Sequence, residues 1–277
     1  MGRLMGHETV TGLISRAVSS RDADRYLTIL TAEQGKLECY AKGIRSQKSK
    51  LAPSAGLLTF GEYKLFRRGE RYILTSGKPI EAFYGIREDI ARYACAAHML
   101  EIALDVMPPA QPFPEALQAL LNSLFVLANR DAPPEFVARV FEIRILALSG
   151  FAPQLDRCSV CGRPMAEREQ GYFNACGYGL VCGGEGCLLA AGGKAVPISR
   201  GAVRALAHVA ECEPGAIFSF SLSDAVLREL SAAVPEYLQY HFGKAYEKLG
   251  EAQRYAAFEQ EAAYMISRLG ARGQAER

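Results

Sequence analysis

The sequence predicts an α+β protein: a small all-β unit at the N-terminus, a helical body, and a cysteine-bearing insert within that body. Three observations carry this. Segments of period-two alternation fill the first 80 residues, apolar positions recur at three- and four-residue steps from Arg87 onward, and five of the eight cysteines fall between Cys158 and Cys187. The 277 residues suffice for about two domains and a small third unit. The boundaries fall at 1–80, 81–150, 151–197 and 198–277, the last segment completing the helical body. With 49% hydrophobic and 22% charged residues, the composition sets aside disordered and collagen-like classes.

In the N-terminal unit, strands are expected over Glu8 to Ser20, Tyr26 to Ala32, Lys36 to Ile44, Gly56 to Arg68 and Arg71 to Ser76. Leu37, Cys39 and Ala41 alternate with Glu38, Tyr40 and Lys42, the pattern of a half-buried strand. Five short strands in so few residues suggest a small barrel, and its polar, basic connections are compatible with an OB-fold. Helices follow: one with Ile90, Tyr93, Ala94, Ala97, Leu100 and Leu104 on its stripe, ending before Pro108-Pro109, then Pro114 to Asn129 and Pro133 to Ser149. The third is apolar on nearly every side and stops at Gly150, which makes it a central helix. Beyond the insert, Ser199 can cap a helix through His208, Ser223 or Asp224 another, and Val234 to Leu249 continues despite Pro235 and Gly243. The tail, Ala271 to Arg277, is expected to fray.

Net charge is only +2, but it is unevenly placed. Residues 1–80 carry 14 basic against 7 acidic side chains, whereas residues 81–149 carry 5 against 9. A basic unit beside an acidic one suggests that the first faces a polyanion. No uncharged run reaches the roughly 18 residues needed to span a bilayer, and no secretory signal is visible at the start. A cytoplasmic protein is expected, where clustered cysteines point to metal rather than to disulfides.

Cys158-Ser-Val-Cys161-Gly162 is a two-residue knuckle that aims two thiolates at one cation. For the second pair, Cys182 with Cys187 is favoured and Cys176 with Cys182 competes. Four thiolates close the coordination shell, so the expected zinc ion is structural in either case. Cys39, Cys95 and Cys212 read as small core residues. His7, His98, His208 and His241 show no metal or triad spacing, and no phosphate-binding loop, dinucleotide fingerprint or nucleophile elbow is present.

Several segments together resemble the bacterial recombination mediator family RecO. They are Lys42-Gly43-x-Arg45 with Lys48-Ser49; Phe141-Glu-Ile-Arg144-Ile-Leu-Ala-Leu-Ser-Gly150-Phe-Ala-Pro153-Gln-Leu155-Asp-Arg157-Cys158-x-x-Cys161-Gly162; Gly179-Leu180-Val181-Cys182; and Tyr237-Leu238 with His241 and Gly243-Lys244. The chain departs from the commoner pattern in the spacing to Cys187 and in carrying Cys176. The resemblance implies an OB-fold, a helical domain and an embedded zinc-binding insert. It also implies binding of single- and double-stranded DNA, annealing of complementary strands, and help to RecA in replacing single-stranded DNA-binding protein, together with RecR and without catalysis. Nucleoid association follows from that role.

DNA binding would rest on Arg16, Arg21, Arg25, Lys36, Lys42, Arg45, Lys48, Lys50, Lys64, Arg67, Arg68 and Arg71, which crowd loops and strand ends. Among Tyr40, Tyr63, Phe66 and Tyr72, Tyr40 is the preferred base-stacking residue and Phe66 is assigned to the core. The resemblance implies that the helical body docks the acidic, apolar C-terminal tail of single-stranded DNA-binding protein. Arg139 and Arg144 are candidates for holding it, an internal ion pair with Glu135 or Glu142 being the alternative. Two other readings compete: a zinc-containing DNA-processing enzyme such as a nuclease, for which Asp22 and Asp24 are the only close acidic pair in the basic unit, and a zinc-stabilised protein adaptor.

Overall fold

The N-terminal unit closes into a barrel, with burial alternating most clearly over residues 35–41 and 60–66. A computed structural model describes residues 5–20, 23–46, 48–165, 170–176 and 178–250. Its strands are β1 (Met5–Ser19), β2 (Arg25–Thr31), β3 (Gly35–Ala41), β4 (Phe60–Arg68) and β5 (Arg71–Glu81). They close in the order β1-β2-β3-β5-β4, with β3 and β5 parallel and the other pairs antiparallel. Ile14, Leu27, Ile29, Leu37, Cys39, Tyr63, Leu65 and Leu74 point inward and form the barrel core. The strands differ from expectation at β4, which starts at Phe60 because 56–59 form a turn, and at β5, which runs on to Glu81.

The helical body consists of α1 (Tyr84–Arg87), α2 (Ile90–Val106), α3 (Pro114–Asn129), α4 (Pro134–Leu148), α6 (Arg200–Glu211) and α7 (Asp224–Phe242). Asp89, Ser199 and Ser223 each cap a helix by accepting a bond from a backbone N–H of its first turn. α4 packs against α2, α3, α6 and α7, so nearly its whole circumference is core. The helix passes through Pro235 as expected but does not reach Leu249: α7 ends at Phe242, because Gly243, with a left-handed φ of 67°, closes it. Ala271 to Arg277 lie outside the described residues.

Between α4 and α6 the insert folds as β6 (Gly171–Asn174), β7 (Gly179–Val181), α5 (Glu185–Ala191) and β8 (Ala195–Ile198), with sheet order β7-β6-β8. Phe173, Leu180 and Ile198 join its sheet to the core of the helical body. Leu13, Leu30 and Leu58 join the barrel to the same core. At that joint Gly35, with φ of 61°, packs where a Cβ would run into the carbonyl oxygens of Pro108 and Gln111. No helix among the described residues is long and apolar enough to cross a membrane.

Candidate metal centre and nucleic-acid interface

The four favoured cysteines converge. Cys158 and Cys161 come from a turn closed by a bond from the Gly162 N–H to the Cys158 carbonyl at 2.9 Å, with Gly162 in the left-handed region at 72°. Cys182 follows β7, and Cys187 sits in the first turn of α5. All four sulfurs lie within 4.8 Å of one another. Cys161 Sγ and Cys182 Sγ are 3.9 Å apart. Four sulfurs held tetrahedrally at about 2.3 Å from a cation are separated by about 3.8 Å, so the donor set fits a closed four-thiolate site.

The surroundings favour charged sulfur at Cys158. Burial pushes its thiol up, but backbone N–H groups of Cys161, Cys182 and Val160 outweigh that and bring it down to about 6. Hydrogen bonds with Cys182 and Cys161 hold the Cys187 thiol up, at about 12. A cation binding the cluster would replace these shared protons. The apolar residues around it are few, Val181 being the one fully buried among them, so a bound ion would carry much of the local order. Cys176 lies outside the cluster, which decides between the two possible second pairs.

The candidate DNA-binding residues divide into three groups among the described residues, with Arg21 outside them. Arg16, Lys42, Arg45, Lys48, Lys50, Lys64, Arg68 and Arg71 are exposed, and Arg68 faces Arg71 across the β4–β5 hairpin. Arg25 and Arg67 are half-buried; the Arg67 guanidinium lies 5.7 Å from the centre of the Tyr72 ring. Lys36 corrects the expectation: its Nζ donates to the Leu104 carbonyl at 2.8 Å, tying the barrel to the C-terminal end of α2. Arg21 lies outside the described residues, as does Asp22.

Tyr40 is half-buried on the outer face, its ring 5.2 Å from that of Tyr26. Its hydroxyl donates to Asp24, which also accepts from the Gly43 N–H at 2.6 Å. These two bonds, the Tyr40 bond first, hold the Asp24 carboxyl below the usual carboxylate range. Asp24 is thereby a turn acceptor. Tyr63 is fully buried in the barrel core, its hydroxyl donating to the carbonyls of Ser54 and Thr59. Phe66 is a second correction: it points outward, half-buried against His7 at 5.2 Å between ring centres. Even-numbered residues of β4 face out because Tyr63 and Leu65 face in.

Arg139 and Arg144 are the third correction. They are 4% and 8% exposed. Arg139 donates to Glu142 Oε1 at 2.8 Å, and His98 Nε2 lies 2.5 Å from the same oxygen. Arg144 donates to the carbonyls of Val209 and Ala210 at 3.2 and 2.9 Å, satisfying the last turn of α6. Both cations are consumed inside the fold, which leaves neither at a surface for a partner's tail. A cationic group the sequence reasoning missed is Lys244, which bonds Glu101 and Asp105 at 2.8 Å each. Tyr26, 55% exposed, was missed as well; its period-two offset from Leu27 and Ile29, which face the barrel core, is the signal that marks it.

Two family models match the chain: Recombination protein O N terminal over residues 5–83 and Recombination protein O C terminal over residues 87–250. Among curated relatives, the DNA repair protein RecO of Acetivibrio thermocellus is 37% identical over 245 residues, which are 88% of this chain and 96% of that protein. The DNA repair protein RecO of Anaeromyxobacter dehalogenans is 31% identical over 243 residues, 87% and 93% of the two chains. That of Dehalococcoides mccartyi is 29% identical over 228 residues, 82% and 88% of the two chains. None of these names states a catalytic activity.

Proposed function

The chain belongs to the RecO family of DNA repair proteins, and on that footing we propose that it is a DNA-binding recombination mediator with no catalytic step of its own. The observation that carries this reading is the distribution of cations. Eight candidate phosphate-binding Lys and Arg side chains are exposed on the barrel, while the two on α4 are buried. Exposed cations on strands and connections can follow a phosphate chain of either single- or double-stranded DNA without reading bases.

In this reading Arg16, Arg25, Lys42, Arg45, Lys48, Lys50, Lys64, Arg67, Arg68 and Arg71 neutralise phosphates, and Tyr40 contributes a face for stacking. Screening two phosphate chains at once lets complementary strands approach, which is the requirement for annealing. The four-cysteine cluster holds one zinc ion, which orders the insert and takes no part in reaction. The helical body is the side proposed to meet protein partners, RecR and the tail of single-stranded DNA-binding protein, the latter through groups other than the buried Arg139 and Arg144. With them the protein would help RecA replace that binding protein on single strands, in the cytoplasm at the nucleoid.

The test is annealing of complementary oligonucleotides coated with single-stranded DNA-binding protein, with and without RecR. Acceleration over the uncatalysed rate is expected, and its absence overturns the mediator reading. The basic connection is tested separately by the variant Arg45→Ala, Lys48→Ala, Lys50→Ala. Its affinity for DNA should fall and its salt slope flatten by up to about 3 if each cation displaces one counterion. An unchanged slope removes this connection from the interface.

A further inference from the structure

Strand register places six outward side chains in one row around the barrel. Val18 pairs with Tyr26, Tyr26 with Tyr40, Tyr40 with Ile73, Ile73 with Phe66, and Phe66 with His7. Directly paired residues share a face of the sheet, so these side chains are neighbours across all five strands. Val18 and His7 both belong to β1, eleven positions apart, so the row winds once around the barrel, as strand shear requires. Four of the six are rings, and the two aliphatic members are Val18 at one end and Ile73 in the middle. Tyr26 lies against Tyr40 at 5.2 Å with planes at 55°, and His7 against Phe66 at 5.2 Å with planes at 53°.

The row is exposed where a core would not be. Tyr26 is 55% and Val18 45% exposed, His7 is exposed, and Tyr40, Ile73 and Phe66 are half-buried. The helical body meets the barrel elsewhere, through Leu13, Leu30, Leu58 and Lys36. Cations border the row on both sides. Arg68 and Arg71 stand two positions beyond Phe66 and Ile73, Arg16 two before Val18, and Lys64 and Lys42 stand on the opposite flank, two from Phe66 and Tyr40. Among the described residues the acidic neighbours include Glu38, exposed Glu70 in the turn between Arg68 and Arg71, and Asp24, whose carboxylate already accepts from Tyr40 and Gly43.

Rings alone would suit many ligands; rings between two cationic margins suit a chain that carries phosphates outside and flat apolar groups inside. We propose that this row is a base-stacking track and that the barrel thereby prefers single-stranded to double-stranded polynucleotide. In a duplex the base faces are already stacked on one another, so only the flanking cations can contact it. From β2 across β3 and β5 to β4 the track crosses three strand spacings, about 14 Å. The inference rests on the DNA-binding reading above and adds which polynucleotide the barrel selects and by which side chains.

The experiment compares the full chain with Tyr26→Ala and Phe66→Ala on three probes: a thymidine oligonucleotide, an abasic sugar–phosphate oligomer of the same length, and a duplex. Each variant should bind the thymidine oligomer about tenfold more weakly, with an unchanged salt slope, because a stacked base is lost and no phosphate contact is. Affinity for the abasic oligomer and the duplex should hold. Equal losses on all three probes, or no loss on thymidine, overturn the track. Should either variant fold poorly, Tyr26→Trp keeps the test alive, since the chain has no other tryptophan. Its indole emission should be quenched by the thymidine oligomer and not by the abasic one, and identical responses overturn the track. An unaltered chain that binds none of the probes overturns the DNA-binding reading itself. Binding that is strong yet indifferent to bases leaves that reading standing and removes only the track.

Discussion

Arg68 and Arg71 stand outside the barrel in contact with water, whereas Arg139 and Arg144 lie inside the helical body, bonded to Glu142 and to the carbonyls of Val209 and Ala210. One side-chain chemistry thus serves two ends, and the element carrying it decides which. Every second residue of a barrel strand faces outward, so a cation there reaches solvent without cost. α4 has neighbours on nearly all sides, so a cation there must be paired within the fold or destabilise it. A basic residue on a strand of this protein is therefore a candidate for ligand wherever the strand's outer face meets solvent, as it does not at Lys36, and one on the central helix is a candidate for architecture.

The contrast is tested most severely by removing metal. Apparent binding energies of structural zinc run to about 10–16 kcal/mol, far beyond what the few apolar residues around the cluster can replace. Chelation of metal-loaded protein should expose the amides of residues 151–197 to hydrogen exchange, while the barrel keeps its protection and its DNA affinity. Cys187→Ser should act in the same direction. Loss of protection in the barrel, or none in the insert, would show that the two regions do not depend on different forces.

A smaller effect compares charges directly. Glu142→Ala leaves the Arg139 cation buried without its partner and should cost about 3–5 kcal/mol in denaturant unfolding. Arg68→Ala, on the outer face of β4, should stay within about 0.5 kcal/mol. Comparable costs would erase the distinction between the two classes of arginine.

The smallest effect concerns acid. Burial pushes the Glu101 carboxyl up, but Lys244 and Lys248 outweigh it and hold the group below the ordinary carboxylate range. A carboxyl depressed in the folded state contributes stability that is fully present above its unfolded pKa of about 4.3 and is lost as pH falls through its folded value. Glu101→Gln should therefore unfold slightly more easily near neutrality, by under about 1 kcal/mol, because the lysines are half exposed. That difference should vanish toward pH 3. A difference that grows on acidification contradicts the network.

Much of this was legible beforehand. Period-two alternation located the strands because one face of each is core, and the cysteine spacing located the metal cluster because two knuckles must reach one cation. Tyr40 was placed on the outer face by the alternation of its neighbours. The same rule applied to β2 and β4 marks Tyr26 as outward and turns Phe66 out of the core. Lys36 could not be assigned this way. Its position on β3 is outward, yet outward there means toward the end of α2, a neighbour 68 residues away in the chain.

By itself, then, the sequence determined which elements form, which faces of them are apolar, where the positive charge concentrates and which cysteines can share an ion. Each is a matter of local periodicity or spacing, set by backbone geometry within a few residues. Tertiary structure alone decided which cations remain at the surface, that Cys187 rather than Cys176 completes the cluster, and that six side chains from five strands line up in one row. Those outcomes depend on strand shear and helix neighbours, and both arise only when distant segments of the chain pack together.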